Sequence, residues 1–297
     1  MSTARNELIV VTGASTGIGA ATAKELAHRG FHVLAGVRRE VDADALRGPG
    51  IEPCILDITA ESDIVAIADR VADDPRHRPL RALVNNAGIA INAPVETLPM
   101  AQWRRQFDVN LFGQIAITQA LLPALLNSAG TIVNVSSVGG KVVMPTYGAY
   151  AGSKFALEAV SDALRREVGA LGVKVVVVEP GAVKTEIAER GIATSQELMN
   201  DMPADQLARY SEVLDAVMAQ ARSFNETGVS AEAAAMVIAR AVTASRPRTR
   251  YTIGRDAAIL LRVSRFLTDR GLDRVVRLNL KRFAAGGNQP LGVGGRA

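Results

Sequence analysis

The chain holds a single cysteine, Cys54, among its 297 residues. No internal disulfide can form and a cysteine-rich metal site is excluded, as expected of a protein in a reducing compartment. Histidine is almost as scarce: His28, His32 and His77 complete the set, and none lies near a carboxylate cluster at ligand spacing. No metal is therefore expected. Aromatic residues make up 4% of the chain, too few for base-stacking platforms, so nucleic-acid binding is not expected either. The sequence contains no uninterrupted apolar run of about 18 residues that would mark a membrane-spanning helix. Its start, MSTARNELIVVTG, enters a strand pattern without the charged, apolar and small-residue succession of a signal peptide, which leads to the expectation of a cytoplasmic protein. Repeats are absent, and the one biased stretch, AAGGNQPLGVGGRA, reads as a frayed tail.

Apolar residues form 48% of the chain and charged residues 22%, which is ordinary globular usage and enough to bury a large core. The net charge of +4 hides an asymmetry, because residues 240–297 carry 13 Lys/Arg against 3 Asp/Glu. Short β-branched runs alternate with longer helical patterns, which predicts βαβ units and a parallel sheet. Strands are expected at about 7–12, 31–37, 51–56, 80–85, 130–136, 173–178 and 250–253. Their near-continuous apolar character suits a sheet covered on both faces. The expected fold is α/β, a Rossmann-like doubly wound sheet of about seven strands in residues 1–255, with a substrate-covering helical segment at 186–228 and a basic amphipathic extension at 256–297.

Two stretches carry chemistry. TGASTGIG, residues 12–19, follows a strand and opens a helix, the context in which a glycine turn brings backbone and a helix N-terminus up to a pyrophosphate. Farther on, NVSSVGGKVVMPTYGAYAGSK holds Ser137, Tyr150 and Lys154. Tyr150 and Lys154 are four apart and share a helix face. A nearby ammonium favours a phenolate, so Tyr150 could exchange a proton with a substrate oxygen that Ser137 holds in place. Tyr147 is a competing phenol, but the residue four positions on is Ala151, so it is expected to line the substrate pocket instead.

With Asn85-Asn86-Ala87-Gly88 after the fourth strand, Asn110 in the next helix, and Pro180-Gly181 with Thr185 after the sixth strand, the chain resembles the short-chain dehydrogenase/reductase family over roughly residues 7–185. Among its members the likeness is to the NADP-preferring, retinol and hydroxysteroid dehydrogenase-like enzymes. The resemblance implies that Tyr150 is the general acid in reduction and the base in oxidation. Lys154 would lower its pKa and hold the nicotinamide ribose, Ser137 would orient the substrate oxygen, and Asn110 would support a water beside Lys154. It further implies that Gly13, Ser15, Thr16, Gly17, Ile18, Gly19, Arg38, Arg39, Asp57, Ile58, Asn86, Ala87, Gly88, Tyr150, Lys154, Pro180, Gly181, Val183 and Thr185 contact the cofactor. Relatives usually form dimers or tetramers through helices at 102–126 and 150–168, so a homodimer or homotetramer is expected.

Val37-Arg38-Arg39 ends the second strand, where an acidic residue would select NAD and an arginine accepts the 2′-phosphate of NADP. NADP(H) is favoured, with NAD(H) the alternative, since Glu40 could instead pair with one of these arginines. Residues 186–228, with Val142, Val143, Met144 and Tyr147, point to a roomy apolar pocket for a small hydrophobic alcohol or ketone such as a steroid, retinoid or lipid. The stretch 256–283 alternates apolar residues with arginine at helical spacing, interrupted at Gly271. It has two readings: packing on the protein's own pocket or a second subunit, or peripheral contact with an anionic membrane. Two other function classes stay open beside the enzyme: a catalytically silent dinucleotide sensor and a membrane-surface binding protein.

Overall fold

The computed structural model describes residues 6–284; the glycine-rich end, apart from Ala284, lies outside them. Strands β1 (Leu8–Val11), β2 (His32–Val37), β3 (Ile51–Ile55), β4 (Leu80–Asn85), β5 (Thr131–Val135), β6 (Lys174–Pro180) and β7 (Arg250–Ile253) form one parallel sheet in the order β3-β2-β1-β4-β5-β6-β7. Every strand predicted from the sequence is present within a residue or two of its expected ends. The helices in chain order are α1 (Gly17–His28), α2 (Glu40–Leu46), α3 (Glu61–Ala72), α4 (Met100–Phe107), α5 (Gly113–Asn127), α6 (Gly148–Val168), α7 (Glu186–Asn200), α8 (Ala204–Thr227), α9 (Ala231–Thr243), α10 (Arg255–Ser264) and α11 (Asp269–Ala284).

Alternate residues of each strand face opposite sides, and both sides are covered. Ile9, Val11, Val33, Ala35, Val84 and Val133 point to one core, which α1 and α9 close with Ala23, Leu26, Ile238 and Val242. Leu8, Val10, Leu34, Leu83 and Ile132 point to the other, closed by Ile67 of α3 and by Ile117, Leu121 and Leu125 of α5. The run Met100–Asn127 is long and apolar enough to cross a bilayer by length and composition, yet these α5 side chains lie in the core. Strand order reverses between β1 and β4, opening a crevice at their carboxyl ends where ligands bind in such sheets.

Three local features differ from expectation. Asn110 lies in a π-helical turn, Asp108–Phe112, set between α4 and α5; one extra residue per turn there re-aims its side chain inward. The basic extension is continuous with the fold: Ala257 packs where a Cβ on Gly181 would sit, at 2.6 Å. Its interruption falls at residues 265–268, and Gly271 is inside α11, which packs against α8.

An ion cluster ties β7 to α6. Glu158, 3% exposed at its side chain, receives Lys141 Nζ and Arg250 Nη2, each at 3.0 Å, while Arg250 also reaches Asp162 at 3.1 Å and Glu179 at 3.5 Å. One guanidinium thus serves three carboxylates. Arg250→Met should destabilise the protein by about 3–5 kcal/mol, the usual result of stranding buried charge, and urea unfolding monitored by circular dichroism measures it; a loss below 1 kcal/mol would show the cluster to be solvated.

Candidate active site

The glycine turn is held by a second segment rather than by itself. A Cβ on Gly13 (φ +63) would lie 2.7 Å from Ala87 Cα, and one on Gly19 would lie 2.2 Å from the Gly13 carbonyl oxygen. Both positions admit only glycine because backbone occupies the space. Asn86 stitches the pair together: its backbone N–H donates to Thr12 Oγ1, and its Nδ2 donates to the carbonyls of Thr12 and Gly13, all at 3.0 Å. The Ala87 N–H donates to Thr12 Oγ1 as well. No side chain caps the first turn of α1, so its N–H groups face the crevice free to meet an anion. Ser15, Thr16, Gly17 and Ile18 form the rim of this turn. An open cavity of about 290 Å³ adjoins it, lined by Gly17, Lys184, Thr185, Glu186, Glu189 and Asn225. The far wall is the segment after β6: Gly181 N–H donates to the Ile253 carbonyl, Thr185 N–H donates to Asn225 Oδ1, and Val183 bridges to Val229.

The two arginines at the end of β2 behave differently. Arg39 forks onto Asp42, Nε and Nη2 donating at 2.8 and 2.7 Å, so Asp42 and not Glu40 takes it. Arg38 is exposed and makes no hydrogen bond or salt bridge among the described residues. Asp57 follows β3 and accepts from the N–H and hydroxyl of Thr59. Ile58 beside it is buried, its carbonyl oxygen 2.6 Å from where a Cβ of Gly113 would sit.

At the other end of the crevice, α6 brings Tyr150 and Lys154 beneath Ser137. A Cβ on Gly139 would stand 3.2 Å from the Tyr150 ring and 3.3 Å from Ser137 Oγ, so the missing side chain lets the two hydroxyl groups converge. Lys154 is 4% exposed; its Nζ donates to the Val135 carbonyl at 2.9 Å and lies 6.0 Å from the Tyr150 ring centre. Burial brings Lys154 down to about 8, only partly offset by Glu158 one turn on. Burial also pushes the Tyr150 phenol up, with the Ser137 hydroxyl pulling it back. In the protein alone the Lys154 ammonium is turned to the strand carbonyl, and burial with the Ser137 hydroxyl sets the direction of the Tyr150 shift. Tyr147 packs edge-on against Tyr150 at 5.9 Å and is held up at about 12 by burial.

Asn110 is committed at both ends. Its Oδ1 accepts from Ile89 N–H at 2.9 Å, and its Nδ2 donates to the Ile89 carbonyl at 3.0 Å and to Ser153 Oγ at 3.2 Å. Sequence reasoning missed several supports of this kind. Gln106 clamps Ile89 and Ile91, and Asn85 donates to Thr118 and to Asn134, which in turn donates to Ser161. Buried amides in apolar strands were the available signal. Above the site, Met144 and Tyr147 pack beneath Val213 and Val217 of α8 and Val276, Leu280 and Phe283 of α11. Of the four expected pocket residues, Val143 instead faces solvent, 46% exposed, and Val142 is buried. Among the described residues no group of three or more His, Cys, Asp or Glu could hold a metal ion.

A phosphate-ready glycine turn joined to a half-buried hydroxyl pair and a buried lysine defines a dinucleotide-dependent oxidoreductase. The chain belongs to the short chain dehydrogenase family, whose sequence profile matches residues 7–196. It is 35% identical over 266 residues to 3-amino-tetrahydro-pyrrolizinone reductase of Xenorhabdus hominickii, covering 89% of this chain and 93% of that one. It is 36% identical over 268 residues to human retinol dehydrogenase 16, covering 88% and 84%. Among solved structures it resembles a short chain dehydrogenase from Burkholderia cenocepacia in complex with NADP, with a TM-score of 0.70 and 25% identity over 93% of this chain and 98% of that one. The chain is accordingly an NAD(P)-dependent oxidoreductase.

The Lys154 shift has a sign that can be measured. Between pH 8 and 10.5 the unfolded chain keeps a proton that folded Lys154 has released, so this group makes stability rise with pH across that window. The stability difference between the wild type and Lys154→Met should therefore move in favour of the wild type by up to about 1.4 kcal/mol per pH unit, as read by urea unfolding at each pH; a difference that stays flat would show that Lys154 keeps its ordinary pKa.

Proposed function

We propose that this enzyme transfers hydride between NADP(H) and the alcohol or carbonyl carbon of an apolar substrate, with Tyr150 handling the proton. The observation that carries the reading is the convergence of the Ser137 and Tyr150 hydroxyls over Gly139, beside buried Lys154. The bound nicotinamide supplies the hydride chemistry. The uncapped turn of α1 with Gly13 and Gly17 holds the pyrophosphate, Asp57 and Ile58 flank the adenine, and Asn86, Ala87, Gly88, Pro180, Gly181, Val183 and Thr185 line the rest of the nucleotide. Arg38, unpaired at the end of β2, meets the 2′-phosphate, while Arg39 and Asp42 form the edge of that site. The Burkholderia neighbour's NADP supports this choice.

At the substrate, Ser137 donates to the oxygen and fixes its direction, and Tyr150 gives it a proton in reduction or takes one in oxidation. A phenol kept protonated by burial suits the acid role that Tyr150 takes in reduction. Lys154 becomes the relay on the inner side. Gly88 leaves a gap there: Asn110 Oδ1 and Lys154 Nζ lie 3.4 and 3.8 Å from where its Cβ would be, room enough to place a water between them. Retinol dehydrogenase 16 and the pyrrolizinone reductase are named for an apolar alcohol and a ring substrate, and Met144, Tyr147 and the apolar side chains of α8 supply a matching wall. Exposed Phe112 of the π-helical turn and Phe155 of α6 favour self-association through those helices in a cytoplasmic homo-oligomer.

Tyr150→Phe should lower kcat for any accepted ketone by at least about 10²-fold while NADPH affinity changes less than threefold; retention of most activity would transfer the proton role to Tyr147. Arg38→Ala should weaken NADPH roughly ten- to hundredfold and leave NADH unchanged, as titrated by nucleotide-induced thermal shift. Equal losses for both nucleotides would remove Arg38 from the 2′-phosphate site.

A further inference from the structure

The extension α10–α11 shows solvent a face that its packing role does not explain. On α10, Ala257 and Leu261 are buried against the sheet edge, whereas Ile259, Val263 and Phe266 point outward at 59, 45 and 90% exposure. Their spacing of four and three residues makes them one stripe along α10 and the turn that follows it. Exposed Arg255, Arg262, Arg265 and Arg270 surround this stripe. On α11 the inner side chains Val276, Leu280 and Phe283 pack toward Tyr147, while Val275 and Leu278 face out among Arg274, Arg277, Lys281 and Arg282. Residues 255–284 carry eight Lys/Arg against three Asp/Glu.

A phenylalanine held almost wholly in water at a turn between two amphipathic helices is costly unless it is covered in use. The covering must accept an apolar wedge at its centre and a rim in which cations outnumber the exposed Asp256, Asp269 and Asp273. A second copy placed symmetrically on this face would set arginine against arginine. An anionic bilayer has the required layering, with acyl chains beneath a sheet of phosphate. We infer that the segment α10–α11 is a peripheral docking surface for anionic lipid membrane, with Phe266 and Ile259 entering the headgroup boundary and the arginines lying on the phosphates. The surface is independent of the catalytic reading, yet it includes the outer face of α11, whose inner face with α8 covers Tyr147 and Met144, so a docked enzyme would present that cover to the bilayer.

The test is flotation of the full chain with phosphatidylcholine vesicles made with or without phosphatidylglycerol, at low and high salt. The protein should float only with the anionic vesicles and only at low salt. Arg262→Glu with Arg265→Glu should lower binding by roughly twentyfold or more, at about a factor of five per basic residue. Phe266→Asp with Ile259→Asp should abolish it while NADPH binding stays unchanged and melting temperature falls by no more than a few degrees, since both side chains are mostly exposed. Absence of flotation, equal flotation with neutral vesicles, or binding indifferent to the aspartate variant would each overturn the inference. A concentration-dependent dimer that the aspartate variant dissolves, without any flotation, would assign the face to a second copy and overturn it too.

Discussion

Two backbone segments, far apart in the chain, approach until no side chain fits between them: Gly13 at the end of β1 and Ala87 after β4, where an added methyl group would stand 2.7 Å from a Cα. Everything that binds or reacts is measured from this contact. It exists because β1 and β4 are neighbours at the point where strand order reverses, so both chains leave the sheet side by side and turn away in opposite directions. Thr12 and Asn86 lock it with hydrogen bonds that leave no carbonyl of the turn unpaired on that side. The first turn of α1 is then the open end, and its N–H groups have nowhere to point except into the crevice.

The same economy governs the reactive end. β5 delivers Ser137 at its exit, α6 delivers Tyr150 and Lys154 four residues apart, and Gly139 keeps the space between them clear. Burial is the dominant influence on both titratable groups and pushes them in opposite senses, the phenol up and the ammonium down. Each is thereby held toward its neutral form in the protein alone. A buried lysine bonded to a strand carbonyl and a phenol set beside a serine form a poised pair, whose balance a charged ligand in the crevice would alter through the low local dielectric.

Beside this frame stand the helices proposed to cover the substrate. α7 and α8 form a small apolar cluster of their own, with Met199, Leu214 and Met218 at its centre. They are clasped to the loop before α4 by Glu96, which accepts from Arg209 and from Tyr210. These are exposed ion pairs and contribute little to stability, so the apolar cluster is what chiefly holds this cover in place. α11 lies on it from outside, which links the outer basic face to the inner apolar one.

The strands, the glycine turn and the residues Ser137, Tyr150 and Lys154 were legible in the sequence because each depends on local chemistry: β-branched runs, glycine at a positive φ or a close approach, and side chains one helical turn apart. The family follows from the same short motifs taken in order. What the sequence could not convey is which neighbour each charge chooses. Arg38 and Arg39 are adjacent and alike, yet the fold gives Asp42 to Arg39 and leaves Arg38 open, a result set by where α2 begins. Lys154 shares a helix face with Tyr150, and the fold adds the carbonyl of Val135 as a partner once α6 packs on β5. Likewise the apolar residues of 256–283 left both packing and surface contact open until the fold buries Ala257 and Leu261 and leaves Phe266 in water. Local pattern by itself determined the elements and the reactive groups, because those depend on residues near in sequence; the tertiary structure decided pairing, ionisation and exposure, because those depend on distances between residues that the chain brings together only by folding.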